Sequence, residues 1–351
     1  MSALIKNMNA FFNPSQVGYL ICFVTSRCNM DCSFCFLPTE VRRGSKPDEL
    51  TLEEYEALNI GPLVQLSLTG GEPFLRPDFM QVAHALIKHT TPRFVTIPSN
   101  GWFTDKIVSF FTSTLKRFPK TSFRLVLSID AIGDKHDVLR KSPGAFNRLV
   151  QTYEAMLAVR ARFGNLVLDA NSVLGPYNVD TLFETLVTLD KDFQFDNLAV
   201  NFERSTAASP ADLPKYRSVY RQIADFLQNR ARRRENRFMS PLWRAYDLMT
   251  YDYLERTVFD DQFCLPCVAG KKLVVLGQTG DVHPCEVLGV STGNVRDYEL
   301  ELKKLLDSQQ HQDQVEWIAD TKCKCGWECA LAANIVWNLS SYPKLLGRIK
   351  F

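Results

Sequence analysis

Cys28, Cys32 and Cys35 stand within eight residues, in the spacing C-x3-C-x2-C. A thiolate is a soft anionic ligand that suits zinc, copper(I) or iron–sulfur clusters. A structural zinc ion normally takes four protein ligands, and no fourth Cys or His lies nearby in the chain. Three thiolates on one loop can instead hold three irons of a cubane cluster and leave the fourth open to a substrate or cofactor. A partial zinc site, or three unrelated thiols, is the bland alternative. A second constellation is Thr69-Gly-Gly-Glu-Pro73. Adjacent glycines let a backbone approach a ligand closely, and the Glu72 carboxylate can pair with an ammonium. On its own such a sequence is usually just a turn. A third is the set Cys264, Cys267, Cys285, Cys323, Cys325 and Cys329 in the last third of the chain.

Regular elements must carry these groups. Tyr19–Thr25 reads as a buried strand that delivers the first cysteines. Leu63–Leu68 is a second strand, ending at the Gly-Gly turn. Arg93–Ile97, Phe123–Ile129, Leu166–Leu174 and Asp196–Phe202 continue the series. Helical patterns lie between the strands: Thr51-Leu-Glu-Glu54 reads as a capping box, and Phe79, Val82, Ala83, Leu86 and Ile87 recur at helical spacing. Pro77 suits a first turn, and Thr104 and Asn178 are cap candidates. The first 18 residues show no strong period, and residues 37 to 50 form a polar connection. Six strands alternating with helices imply a parallel sheet with right-handed crossovers. Polar residues gather just after the strand ends, where rigid strands meet variable loops.

C-x3-C-x2-C after a first strand, with Phe34 before the third Cys and Gly-Gly-Glu-Pro one strand later, resembles the signature of radical S-adenosylmethionine (SAM) enzymes. The resemblance implies a partial (β/α)6 TIM-like barrel. It implies a 4Fe–4S cluster on Cys28, Cys32 and Cys35, with SAM bound at the open iron. Reductive cleavage of SAM then gives a 5′-deoxyadenosyl radical that abstracts a substrate hydrogen. By the same resemblance Gly70, Gly71 and Glu72 hold the SAM amino group. Phe36, Asn100 and Ser128 neighbour the cofactor, and Arg140 pairs with its carboxylate. Arg140 closes a run, Asp130-x-x-Gly-x-x-His136-Asp-x-x-Arg140, that is also similar to these enzymes. His136 reads as a helix-entry residue, with proton carriage as the alternative. Asn171 and Asn178 are candidates to touch ribose or adenine. Asn201, Glu203 and Arg204, at the end of strand six, are candidates to touch substrate or to form a surface ion pair.

Cys267 and Cys285 are spaced C-x12-G-x4-C around Gly280. Lys272–Leu276 and Val282–Cys285 flank a Gly-rich turn and read as a β-hairpin. Cys323-Lys-Cys-Gly-Trp-Glu-Cys329 leads into a helix. The arrangement resembles the SPASM and Twitch extensions of radical SAM enzymes, which carry auxiliary 4Fe–4S clusters. Six thiols, without the full SPASM spacing, imply one auxiliary cluster. Cys267, Cys285 and Cys329 are the first-choice ligands, with the fourth from Cys323, Cys325 or Cys264. A four-cysteine zinc site is the alternative. The expected architecture is thus an extension (1–18), a partial barrel (19–235), a helical linker (236–262) and a small hairpin-plus-helix cluster domain (263–351). Cys22, within the first strand, reads as core.

Composition narrows the class. The chain has 351 residues, is 46% hydrophobic and 23% charged, and carries a net charge of +2. That balance makes no case for nucleic-acid binding. No apolar run approaches a membrane span, and no signal-peptide pattern opens the chain. Clustered cysteines favour metal binding in a reducing, cytoplasmic setting over disulfides. A basic run, Arg230, Arg232, Arg233, Arg234 and Arg237, reads as a solvated helix end, with an anion site as the alternative. The apolar, mildly basic tail from Leu331 to Phe351 is expected to dock on its own domain, with membrane contact as the lesser alternative. Only 18 residues precede the first strand, which points to a small-molecule substrate: a sugar, aminoglycoside, nucleotide or lipid-linked group. A ribosomal peptide, or a non-catalytic Fe–S or zinc scaffold, are the other readings. A flavodoxin or ferredoxin is the implied electron donor, and oxidation the implied net chemistry.

Overall fold

The computed structural model describes residues 3–37, 48–204, 211–233 and 240–349. Most of the 37–50 connection, Arg234, Arg237 and the last two residues therefore lie outside the described residues. Six strands follow the expected alternation: β1 (Tyr19–Thr25), β2 (Gln65–Gly70), β3 (Phe94–Ser99), β4 (Ser122–Ser128), β5 (Leu166–Leu174) and β6 (Asn197–Phe202). They pair in parallel in sequence order. Two more strands, β7 (Leu273–Leu276) and β8 (Val282–His283), form the expected hairpin. β7 also pairs in parallel with β1, so one open sheet runs β6-β5-β4-β3-β2-β1-β7-β8. The architecture is a partial, unclosed barrel with a C-terminal extension that shares its sheet.

Alternation along each strand decides which face meets the helices. Leu20, Cys22 and Val24 of β1, Leu66 and Leu68 of β2, Val95 and Ile97 of β3, and Leu125 and Leu127 of β4 enter the main core. They pack there with Phe79, Val82 and Leu86, Phe110 and Leu115, and Leu149 and Met156 from the crossover helices. Cys22 is fully buried among them. The opposite face carries Tyr19, Ile21 and Phe23 beside polar residues such as Ser67, Thr96, Arg124, Ser128, Asp169 and Asn171. Its apolar part, at β1 and β7, is covered by Trp327, Ala330 and Ala333 at the start of the helix Glu328–Trp337.

Local chemistry accounts for most boundaries. The Thr51 capping box forms with both bonds present: Glu54 N–H donates to Thr51 Oγ1 at 3.3 Å, and Thr51 N–H to Glu54 Oε2 at 2.8 Å. Thr104 is instead the first residue of its helix, with Phe103 in the cap position. Pro77 precedes the helix Phe79–Thr90, capped by Asp78 without a side-chain bond. Asn178 does not cap the helix Leu182–Asp192. Its Oδ1 accepts from Gly175 N–H and its Nδ2 donates to the carbonyls of Asp130 and Val173, so it pins the turn leaving β5. Ala3–Phe12 is helical although its sequence shows no strong period. The buried Lys272 ammonium donates to the carbonyls of Ala10, Phe11, Asn13 and Gln16, which satisfies the end of that helix.

Candidate cofactor and metal sites

Cys28, Cys32 and Cys35 leave β1 in a short loop whose thiols are all free and partly exposed. The loop is fastened to a neighbouring element: Asp31 N–H donates to the Arg140 carbonyl and Ser33 N–H to that of Leu139. Burial pushes the Cys28 thiol up to about 12, with Glu72, Cys32 and Cys35 adding to the rise. Such thiols bind a metal only by giving up their protons to it.

The Gly-Gly turn reaches this loop directly. Gly71 N–H donates to the Thr25 carbonyl at 2.9 Å, and Glu72 N–H to that of Arg27 at 2.8 Å. A Cβ on Gly70 would stand 2.1 Å from the Thr25 oxygen, and one on Gly71 2.2 Å from the Arg27 oxygen. The glycines are therefore required by backbone-to-backbone approach just before Cys28. The Glu72 side chain is turned inward. Its carboxylate accepts from Ser99 Oγ and from the backbone N–H groups of Phe74 and Asn100, at 2.8–3.2 Å. Burial raises it to about 7 against those bonds. Glu72 thus ties the end of β2 to the end of β3. Asn100 continues the connection: its Nδ2 donates to Asn29 Oδ1 at 2.9 Å and lies 4.0 Å from Cys28 Sγ. Ser128 ends β4 half-buried, level with Asn171 of β5. Phe36 is exposed, edge-on to Phe23.

Arg140 is less free than a cofactor partner would be. Its Nε and Nη2 both donate to Asp130 Oδ2, at 2.8 and 2.5 Å, and the guanidinium lies over the Phe34 ring. Burial works against the cation, but Asp130 and Cys32 outweigh it and the pKa is raised. Asp130 is fully buried and also accepts from Val173 N–H through Oδ1. His136 receives the Asp130 N–H on Nδ1, and burial beside Arg140 drops it to about 3. It is a neutral, structural imidazole, as its position at the helix entry implies.

Cys264, Cys267, Cys323 and Cys325 line one small cavity, and Cys285 lies near them. Cys325 lies close enough to Cys285, Cys267 and Cys323 for each to raise its pKa, after burial, to about 12. Cys285 is likewise raised to about 11 by burial and then by Cys267 and Cys323. Backbone N–H groups of Ala269, Val287 and Trp327 point at these sulfurs. Cys264 lies beside the group with its thiol against the Tyr253 and Gln262 carbonyls. Cys329 has a different neighbourhood: burial raises it to about 12, and the groups around it are Arg204, Glu286, Glu328 and the Tyr19 hydroxyl. Among the described residues no three Cys, His, Asp or Glu side chains converge on a single-ion site. Both sets are soft sulfur donors, which suits iron–sulfur clusters.

Sequence reasoning placed Arg204 only as a candidate at the end of β6. In the fold it pairs with Glu286 at 2.7 Å and lies over both Phe36 and Trp327. The lock between Asp130 and Arg140 was missed. Its signal is the i, i+10 acid–base pair around Gly133, which has φ +62. Arg230 departs from a solvated helix end: it is buried, bonded to Asp190 and to the Phe195 and Asp196 carbonyls.

An open parallel sheet with a three-thiol loop and a Gly-Gly-Glu turn at neighbouring strand ends defines the class: an α/β partial barrel with its polar groups at the strand ends. Residues 22–187, just under half of the chain, match the model of the Radical SAM superfamily, so the chain carries a radical SAM domain. The region beyond it is cysteine-rich, with Cys264, Cys267, Cys285, Cys323, Cys325 and Cys329. A GTP 3′,8-cyclase of Haemophilus influenzae (strain PittEE) is 28% identical over 185 residues, 50% of this chain and 51% of the relative. One from Erythrobacter litoralis is 33% identical over 92 residues, 24% of this chain and 27% of the relative. The chain thus matches about half or less of these curated relatives' length. Among solved structures, Streptococcus suis SuiB bound to S-adenosylmethionine superposes with TM-score 0.60 at 17% identity, covering 86% of this chain and 68% of that one. The anSMEcpe protein with bound AdoMet gives TM-score 0.60 at 16% identity, covering 95% and 96%. These likenesses concern the fold. No described helix is long and apolar enough to cross a membrane.

Proposed function

We propose that the chain is a radical SAM enzyme that removes a hydrogen from an unactivated C–H bond of a small polar molecule, with net oxidation as the outcome. The observation that carries this reading is the backbone contact between Gly70–Glu72 and the stretch entering Cys28, closed by Asn100 beside the Cys28 sulfur. Cys28, Cys32 and Cys35 would hold the first 4Fe–4S cluster, and Gly70, Gly71, Glu72, Asn100, Ser128 and Phe36 would line the SAM site. When bound, the cluster and SAM supply a 5′-deoxyadenosyl radical. Glu72, fixed by three bonds and raised to about 7, is poised to ionise beside an ammonium. The Asp130–Arg140 pair holds the cysteine loop in place, since the Leu139 and Arg140 carbonyls accept from Ser33 and Asp31. The apolar contacts of Phe23, Phe36 and Trp327 help keep water from the region between the thiol sets.

For the second site we assign Cys267, Cys285, Cys323 and Cys325, because these four lie within electrostatic reach of one another, and leave Cys329 and Cys264 outside. Four thiolates close a cluster, which then serves electron transfer rather than substrate binding. A peptide substrate is the second reading, favoured by two fold neighbours, SuiB bound to precursor peptide SuiA and anSMEcpe with bound AdoMet and a Cp18Cys peptide. The cyclase names of the curated relatives favour a nucleotide within the small-molecule reading. The test is anaerobic reconstitution with iron, sulfide, SAM and dithionite. 5′-Deoxyadenosine above the level of a Cys28/Cys32/Cys35→Ala control is expected; none would sink the enzyme reading. Deuterium passing from a labelled small molecule, and not from a peptide, into 5′-deoxyadenosine would fix the substrate class.

A further inference from the structure

Arg204 stands two residues beyond β6 and touches four parts of the chain. Its guanidinium carbon lies 4.7 Å from the centre of the Phe36 ring and 5.5 Å from that of Trp327. Its Nη1 is 2.7 Å from Glu286 Oε1. Each of these partners adjoins a cysteine: Phe36 follows Cys35, Glu286 follows Cys285, and Trp327 stands two residues after Cys325. The fourth contact is electrostatic, with the Cys329 thiol. Arg204 is 23% exposed and Glu286 10%, so the pair is screened little by water. The base of Arg204 is rigid: Glu203 N–H donates to the Leu174 carbonyl at 2.9 Å, and Phe202 N–H to Glu328 Oε1 at 2.7 Å.

We propose that Arg204 is a positioning residue: a clasp that holds the Cys28–Cys35 loop against the Cys323–Cys329 loop and sets the charge balance between the two cysteine sites. The planar guanidinium is suited to this. The guanidinium lies against two aromatic rings while also pairing with a carboxylate, an arrangement an ammonium cannot reproduce. The remaining exposure at the loop tip, Phe36, is where the clasp meets solvent. The charge consequence follows from sign alone. A cation beside a cluster favours its more negative, reduced form, and Glu286 opposes it. The clasp rests on the two-cluster reading for its redox part, whereas the loop contact stands without it.

Two measurements separate these. Hydrogen exchange on the full-length chain, with and without iron, reports the loops. Arg204→Gln is expected to speed exchange roughly ten-fold or more in both the 33–37 and the 323–329 segments, since one group secures both. Arg204→Lys is expected to leave both segments loosened. Redox titration of the distal cluster reports the charge. Arg204→Gln is expected to shift its midpoint negative and Glu286→Gln positive, with Arg204→Lys restoring the potential without restoring exchange protection. Exchange that rises in one segment only, or midpoints that move in the same direction in Arg204→Gln and Glu286→Gln, would overturn the proposal. Failure to form 5′-deoxyadenosine would remove the enzyme reading yet leave the exchange result intact.

Discussion

Replacing Asp130 by Asn tests how the SAM-cluster loop is kept in place. Asp130 is fully buried and Arg140 nearly so, and their two bonds share Asp130 Oδ2. The amide introduced by Asp130→Asn would keep an oxygen for the Val173 N–H but would leave a buried guanidinium without its counter-charge. Breaking a buried pair by removing one partner costs about 3–5 kcal/mol, a factor of roughly 10² to 10⁴ in the folding equilibrium. Removing both charges, in Asp130→Asn/Arg140→Met, is expected to cost less than Asp130→Asn alone, because no orphaned cation remains. The lock also acts at a distance from its own atoms. The carbonyls of Leu139 and Arg140 receive the N–H groups of Ser33 and Asp31, so loosening this helix end loosens the loop between Cys28 and Cys35. Urea unfolding of the iron-free chain measures the first effect, and iron bound per chain after reconstitution measures the second. If Asp130→Asn lies within about 1 kcal/mol of wild type, or the double variant is simply the sum of the singles, Arg140 is not locked and is free to act as a cofactor ligand.

Other consequences are shorter to state. Gly71→Ala places a methyl 2.2 Å from a backbone oxygen, where no side chain can yield. It should destabilise the iron-free chain by about 1–3 kcal/mol and abolish retention of SAM by the reconstituted protein in equilibrium dialysis. Cys329→Ala should retain about eight irons per chain, whereas Cys325→Ala should lose part of the distal set; equal losses would return Cys329 to the ligand list. His136 gives a pH signature. Its folded pKa, about 3, is below the unfolded value near 6.5, so the unfolded chain binds the extra proton between those limits. Stability should therefore fall as pH drops from about 6.5 toward 3, and His136→Gln should flatten that slope in urea titrations. Lys272→Met leaves four helix-end carbonyls without their donor and should raise hydrogen exchange across Ala3–Phe12 while sparing β1.

The repeating core was legible because its signals are local. Strand alternation, the Thr51 capping box and the apolar spacing of Phe79 to Ile87 each lie within a few residues, and the structure keeps them with end shifts of one or two positions. The glycines of the Gly-Gly-Glu turn could be flagged, but the cause of their need is a contact with Thr25 and Arg27, more than forty residues away. Long-range pairing was the main loss. Nothing in Asp130 or Arg140 taken singly distinguishes a cofactor ligand from half of a buried ion pair. The same holds for Asn178, which by type fits a cap and in the fold spans a turn. The helix Ala3–Phe12 is secured by Lys272, a residue some 260 positions away, so its own sequence carries little of the reason for it.

The placement of the distal thiols follows from one strand pairing. β7 runs parallel to β1 in the register Tyr19 with Leu273 through Cys22 with Leu276. β8 then reverses direction, setting Val282 opposite Leu276 and His283 opposite Val275. The next residues carry the chain back beside the start of β7, where the Pro284 carbonyl accepts from Gly270 N–H. Cys285 therefore lies level with the beginning of β1, whereas Cys28 leaves from its end. Six residue steps of a strand separate these levels, about 20 Å along the strand direction. Cys28 and Cys285 thus lie toward opposite ends of β1. Between these levels Phe23, Phe36, Arg204 and Trp327 pack together over the sheet face.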